Sequence, residues 1–203
     1  MKNFIVSSRI IEDKKGTIHT MYDTDTLEML NKLDISITPF NVLNKFNKNL
    51  LRDSDGLFLM GGGNINKIEK KKINKIRDKF EKNLFRYFIK KNKPIIGICR
   101  GFQNIVSFYG IKLFQVKGHV RKSHHIKISK SRFIKYKSLD VNSYHNYGIK
   151  NLPKEFSVIS KFKDDTIEIA EHKTKKIICL MFHPERKMLS QKKIIQVLKN
   201  FTK

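Results

Sequence analysis

The chain has 203 residues, and 43 Lys+Arg against 18 Asp+Glu give it a formal net charge of +25. A hydrophobic share of 39% argues for a packed core over disorder, and two cysteines are too few for a disulfide-dense scaffold or a four-thiolate zinc site. No apolar run approaches the ~20 residues of a membrane span, so the expectation is one cytoplasmic domain over residues 1–203.

Phe4-Ile5-Val6 reads as a first strand, not part of a secretion signal, because Arg9, Glu12 and Asp13 follow it closely. Asp23 or Thr24 caps a helix with Leu27, Leu30 and Leu33 on one face. Ile35–Thr38 alternates and stops at Pro39. After the turn Asp53-Ser54-Asp55-Gly56, the run Leu57–Met60 is continuously apolar, as strands covered on both faces are. A helix is expected over roughly 66–91, with Ile73, Ile76, Phe80, Leu84 and Phe88 as its apolar stripe and lysines as its wet face. Ile95–Ile98 is the next buried strand, and 102–109 form a helix that Gly110 ends. Shorter strand-like pieces lie near 111–116, 124–129, 156–160, 166–170 and 177–182. A last helix, capped by Ser190, carries Ile194, Ile195, Leu198 and Phe201. Strands alternating with helices in the first half predict an α/β fold with a mainly parallel sheet, followed by a more β-rich segment.

Of the 43 basic residues 35 are lysines, and they are spread along the whole chain. That reads as a solvated, compositional surface; the other reading is attraction of an anionic partner. A nucleic-acid module would gather Arg and aromatics on one face, and no such motif occurs, so no nucleic-acid partner is expected.

The segment Gly97-Ile98-Cys99-Arg100-Gly101 is a strand ending in G-x-C-x-G at a helix start, the cysteine counterpart of a nucleophile elbow. The small residues on either side suit a turn too tight for side chains. The helix N-terminus favours a thiolate on Cys99. A nucleophile needs a base and an orienter. His183-Pro184-Glu185 ends an apolar run, 84 residues (183 − 99) beyond Cys99, and offers both. The N–H of Arg100 would be one oxyanion donor, and Gly62 or Gly63, in the glycine run after strand 57–60, the second. Adjacent histidines on a strand point to opposite sides, so His124 and His125 are poor partners for one metal. With His119 they are read as loop and strand residues.

Gly97–Gln103 together with His183-Pro184-Glu185 resembles the class I glutamine amidotransferase superfamily, and Arg100 after the cysteine resembles its γ-glutamyl hydrolase branch. Leu59–Ile65, Val141–Asn146 and Thr166–Ala170 extend the resemblance over nearly the whole chain. It implies a flavodoxin-like sheet and a γ-glutamyl thioester on Cys99, with His183 carrying protons and Glu185 orienting it. It further implies that Gln103, Ser143, Tyr144 and His145 hold the glutamyl end of a small-molecule γ-glutamyl substrate, and that neither metal nor organic cofactor is needed. The leaving group would be an amine or a phosphoramidate, γ-glutamyl-CDP-amidate among them. Asn64 stands where hydrolase relatives often carry Asp. The alternatives are a glutaminase subunit serving a separate synthase partner, against which Arg100 speaks because such subunits resemble G-x-C-L-G, and a basic nucleic-acid-binding protein on a degenerate fold of this kind.

Overall fold

The computed structural model describes residues 1–38 and 48–203; Pro39, where the strand Ile35–Thr38 is expected to stop, lies outside them. The strands are β1 Lys2–Val6, β2 Arg9–Glu12, β3 Ile18–Met21, β4 Ile35–Thr38, β5 Gly56–Leu59, β6 Ile95–Ile98, β7 Phe114–Gln115, β8 Val120–Lys127, β9 Ser138–Tyr144, β10 Tyr147–Gly148, β11 Phe156–Lys161, β12 Ile167–His172 and β13 Ile177–Leu180. The helices are α1 Thr24–Lys32, α2 Lys48–Arg52, α3 Lys72–Lys90, α4 Arg100–Phe108 and α5 Gln191–Thr202.

Among the described residues the main sheet runs β11-β12-β13-β6-β5-β1-β4. From β13 to β4 every neighbouring pair is parallel, and β12 and β11 close the other edge antiparallel. The central strands β5, β6 and β13 are buried along their whole length, which is why they read as unbroken apolar runs. Their side chains alternate between two cores. Phe58, Ile96 and Ile98 meet Leu30 of α1 and Leu198 of α5 on one face; Leu57, Leu59 and Ile95 meet Leu84 of α3 and Ile105 of α4 on the other. The architecture is therefore helices on both faces of a mainly parallel sheet, as the alternation of elements predicts. Among the described residues no helix is long and apolar enough to cross a membrane.

Three local expectations change. The long helix starts at Lys72, not near residue 66. Residues 65–69 form turns instead, in which the N–H groups of Ile68 and Glu69 both reach the Ile65 carbonyl and Asn66 N–H is held by the Asp78 carboxylate at 2.7 Å. Leu27 faces solvent, and Met29 takes its place in the core beside Leu30. Two hairpins escape the sequence reading, β2–β3 and the β9 half of β8–β9. Both are rich in polar and charged residues, so their outward positions mask the alternation.

Candidate active site

Cys99 sits between β6 and α4 with φ 48° and ψ −102°, a backbone geometry rare for a residue with a side chain. The flanking glycines are required by contact. A Cβ on Gly97 would lie 2.8 Å from Ile105 Cδ1, and one on Gly101 would lie 1.9 Å from the Leu59 carbonyl oxygen. The first turn of α4 is thus pressed against the backbone of β5. Cys99 N–H donates to the Leu180 carbonyl at 2.7 Å, which ties the elbow to β13.

His183 follows β13 and reaches the same spot. Its Nδ1 lies 2.6 Å from Glu185 Oε1, and both side chains are buried. A Cβ on Gly61 would sit 2.7 Å from His183 Cε1 and 3.6 Å from Cys99 Cβ, so this glycine fills the space between imidazole and thiol. Burial alone pushes the imidazole towards its neutral form. The charge of Cys99, then that of Glu185, with hydrogen bonds to both, outweighs burial and raises His183 to about 10. A thiolate paired with an imidazolium is the protonation state in which sulfur is nucleophilic.

Asn142, Arg77 and Glu81, which the sequence does not point to, hold these groups in place together with Tyr144 and Arg100. Asn142 of β9 is hydrogen-bonded to the backbone of His183, and the Tyr144 ring packs edge-on against the imidazole with centroids 5.8 Å apart. Arg77 of α3 donates to three successive carbonyls, Met60, Gly61 and Gly62, at 3.0, 3.1 and 2.7 Å. Those carbonyls turn towards α3, and Gly62 and Gly63 take positive φ, 88° and 74°. Behind them Arg77 pairs with Glu81 at 2.8 Å, and Arg100 reaches Glu81 and Asp78 at 2.6 Å each. Burial and the neighbouring Arg100 pull Arg77 down to about 10, still cationic at neutral pH. Burial would raise Glu81, but Arg100 and Arg77 hold it below the usual carboxylate range. In sequence this group looks like one more i,i+4 pair on a lysine-rich helix, and nothing local marks it as part of the site.

A cleft of about 200 Å³ opens beside the sulfur, lined by Cys99, Gly62, Gly63, Asn64, Gln103, Tyr144, His145, Tyr147, His183 and Arg186, with Asn146 at its edge. Gln103 is held by a 2.8 Å bond from its Nε2 to the Tyr147 carbonyl. Of the residues expected to hold substrate, Gln103, Tyr144 and His145 line this cleft and Ser143 does not. Ser143 is buried, and its hydroxyl has no hydrogen-bond partner among the described residues. Strand β9 explains this, since Asn142 and Tyr144 face His183 while residue 143 faces away. A second, narrower recess on the far side of Gly61 is lined by Arg9, Tyr22, Gly62, His183, Glu185 and Arg186 among others. The Arg186 guanidinium stacks on Tyr144 at 4.7 Å. His124 points into the protein and His125 out of it.

A strand-end cysteine at a helix start, a buried His–Glu pair and a glycine loop together can support acyl transfer through sulfur. The chain is 32% identical over 130 residues to a γ-glutamyl-CDP-amidate hydrolase of Campylobacter jejuni, a match covering 64% of this chain and 62% of that protein. It is 26% identical over 163 residues to one subunit of a glutamine-hydrolysing GMP synthase of Picrophilus torridus, covering 75% of this chain and 78% of that subunit. A crystal structure of a glutamine amidotransferase from Thermotoga maritima superposes with a TM-score of 0.69 at 18% identity, covering 98% of this chain and 82% of that one. The Peptidase C26 family profile matches residues 27–185, from α1 through the His183–Glu185 pair. The chain belongs to the Peptidase C26 family, within the class I glutamine amidotransferase superfamily.

Proposed function

We propose that the protein hydrolyses a γ-glutamyl amide through a γ-glutamyl thioester on Cys99. The observation that carries this reading is the packing of Cys99, Gly61 and His183 against one another with Glu185 behind the imidazole. The Cys99 sulfur attacks the γ-carbonyl carbon, and the N–H groups of Arg100 and of Gly62 or Gly63 receive the oxyanion. The C–N bond breaks as His183 gives its proton to the leaving nitrogen. A water then attacks the thioester, its proton passes to His183, the C–S bond breaks, and glutamate leaves. Glu185 keeps the imidazole oriented throughout. The cleft, at about 200 Å³, is smaller than the ~300–1,000 Å³ of drug-sized sites and suits a glutamyl group, with Gln103, Tyr144 and His145 on its wall.

Arg9 and Arg186 line the recess beside Gly61 along with Asp23 and Glu185; with Glu185 taken up by His183, the two guanidinium groups are the recess's available partners for an anionic leaving group. The similarity to γ-glutamyl-CDP-amidate hydrolase points the same way. The test is a mass-spectrometric turnover screen of γ-glutamyl amides, nucleotide-linked ones included, with Cys99→Ala as control. Turnover by the isolated chain, lost in the control, supports the reading; no turnover of any amide overturns it.

A second reading, a glutaminase that feeds ammonia to a separate synthase, draws on the match over 78% of the GMP synthase subunit. Such a chain would turn over glutamine well only after a synthase is added.

A further inference from the structure

Beside the proposed active site lies a group of buried side chains of which only His145, on the cleft wall, has a part in the proposed reaction. His119 precedes β8, His145 follows β9 and Glu168 stands on β12; all three are buried, and a ligand atom of each lies within 4.8 Å of the others. His124 of β8 adjoins them, its ring stacked on Phe162 with centroids 3.7 Å apart.

The hydrogen bonds fix where the free lone pairs are. His145 Nδ1 faces the Tyr147 carbonyl at 3.1 Å, and a carbonyl only accepts, so in the neutral ring Nδ1 carries the hydrogen and Nε2 is bare. His119 Nε2 lies 2.8 Å from the Asp164 carboxylate, which by the same logic leaves Nδ1 bare. Glu168 Oε1 accepts from His124 Nδ1 at 3.1 Å, and Oε2 has no partner. The buried atoms here without a partner among the described residues are thus His119 Nδ1, His145 Nε2 and Glu168 Oε2, with His124 Nε2 beside them. Three acceptors gathered out of water, one of them a carboxylate oxygen, call for a donor or a cation between them.

We propose that His119, His145 and Glu168 form a binding site for a divalent cation of borderline softness, Zn²⁺ being the natural fit to two imidazoles and a carboxylate. Each ligand already has the outer partner that such sites use. Asp164 backs His119, the Tyr147 carbonyl backs His145, and His124 backs Glu168. A tetrahedral ion would draw the three atoms from within 4.8 Å to about 3.4 Å of one another, given ~2.0–2.1 Å bonds to nitrogen and oxygen. The ion would pin the β8–β9 hairpin to β12 of the main sheet and fix His145 in the wall of the cleft. The simplest rival occupant is a proton on His145, whose Nε2 lies 3.7 Å from Glu168 Oε1.

The full chain, stripped with chelator, is titrated with Co²⁺ and Zn²⁺, with no substrate present. The expected result is one equivalent of Co²⁺ with the visible absorption of a tetrahedral site, and a Zn²⁺-dependent rise in Tm. His119→Gln and Glu168→Gln should abolish both. Asp164→Asn, which replaces the Oδ2 partner of His119 at an exposed position and can keep the Oδ1 bond from Thr166 N–H, should weaken binding about 10- to 100-fold. Unchanged binding in His125→Gln serves as the control, and circular dichroism verifies that each variant folds. Absence of the band, a site that survives His119→Gln, an affinity unchanged in Asp164→Asn, or a sulfur-to-cobalt band lost in Cys99→Ala would overturn the proposal. A proton-filled site gives the first of these results. Because every readout is metal binding, the outcome is independent of whether any γ-glutamyl amide is turned over.

Discussion

Asn142 holds the peptide of His183 from both sides: its Oδ1 accepts the His183 N–H at 2.8 Å, and its Nδ2 donates to the His183 carbonyl at 2.8 Å. The imidazole is thus located by β9 as well as by its own strand. Asn142→Ala should lower kcat by up to ~10²-fold, the cost of a misplacement near 1 Å, and leave KM little changed. Steady-state kinetics on one γ-glutamyl amide decide this, and an effect confined to KM would assign Asn142 to substrate binding.

Gly61 should tolerate no methyl group. A Cβ there falls 2.7 Å from His183 Cε1. Gly61→Ala should therefore fold, since the obstacle is one side chain, yet lose most of its turnover. Gly101→Ala meets the Leu59 carbonyl at 1.9 Å, a backbone obstacle, and should lose stability instead. Thermal melts and activity on the two variants separate the effects; a stable, active Gly61→Ala protein would show that His183 can work from another position.

The protonation of His183 depends on its partners. With its pKa raised to about 10, the imidazole stays protonated across neutral pH and loses its proton only as pH climbs through that value. Cys99→Ala removes the foremost raising charge and leaves burial acting downward, so its midpoint should fall. Glu185→Gln should lower it too, by removing the other charge. Ring-resonance titrations by NMR give the midpoints, and an unmoved His183 in Cys99→Ala would separate the two residues electrostatically.

The two cysteines should differ sharply towards electrophiles. Cys179 is fully buried on β13, and burial pushes its thiol far up, whereas Cys99 opens onto the cleft. A γ-glutamyl-like electrophile should label Cys99 alone, as peptide mapping would reveal. Modification at Cys179 with Cys99 intact would remove the basis for the thioester.

Arg9 and Arg186 should choose among leaving groups. For a phosphate-bearing leaving group, kcat/KM should fall steeply with salt, because charges beyond ~8 Å are screened at physiological ionic strength. A neutral amide should show a weaker slope, and Arg9→Gln with Arg186→Gln should bring the two slopes together. Equal slopes in the unmodified protein would leave the +25 charge as a solvated, compositional surface.

What the sequence made legible was local. The elbow around Cys99 can be read because its constraints, a buried strand, two small residues and a helix start, fall within a few positions. The His183-Pro184-Glu185 turn is equally compact. Asn142, Arg77 and Glu81 were not legible, because their tasks depend on which strand or helix lies opposite, and that is settled by tertiary register. Arg77 and Glu81 even mimic a solvent pair, though both are buried. Ser143 was placed at the substrate by the segment it belongs to, while the two-residue period of β9 turns it away.

The glycine loop, Cys99 and His183 stand at the ends of β5, β6 and β13, which are neighbours in space but distant along the chain. A growing polypeptide that has emerged only as far as α4 has its thiol but lacks the carbonyl of Leu180 that fixes the elbow and the imidazole that would charge it. On the reading proposed above, reactivity and completion of the fold therefore arrive together. An unfinished or partly melted molecule would then be harmless towards amides, and survival of the proposed activity under heat or denaturant would gauge whether the last parallel strand is still docked.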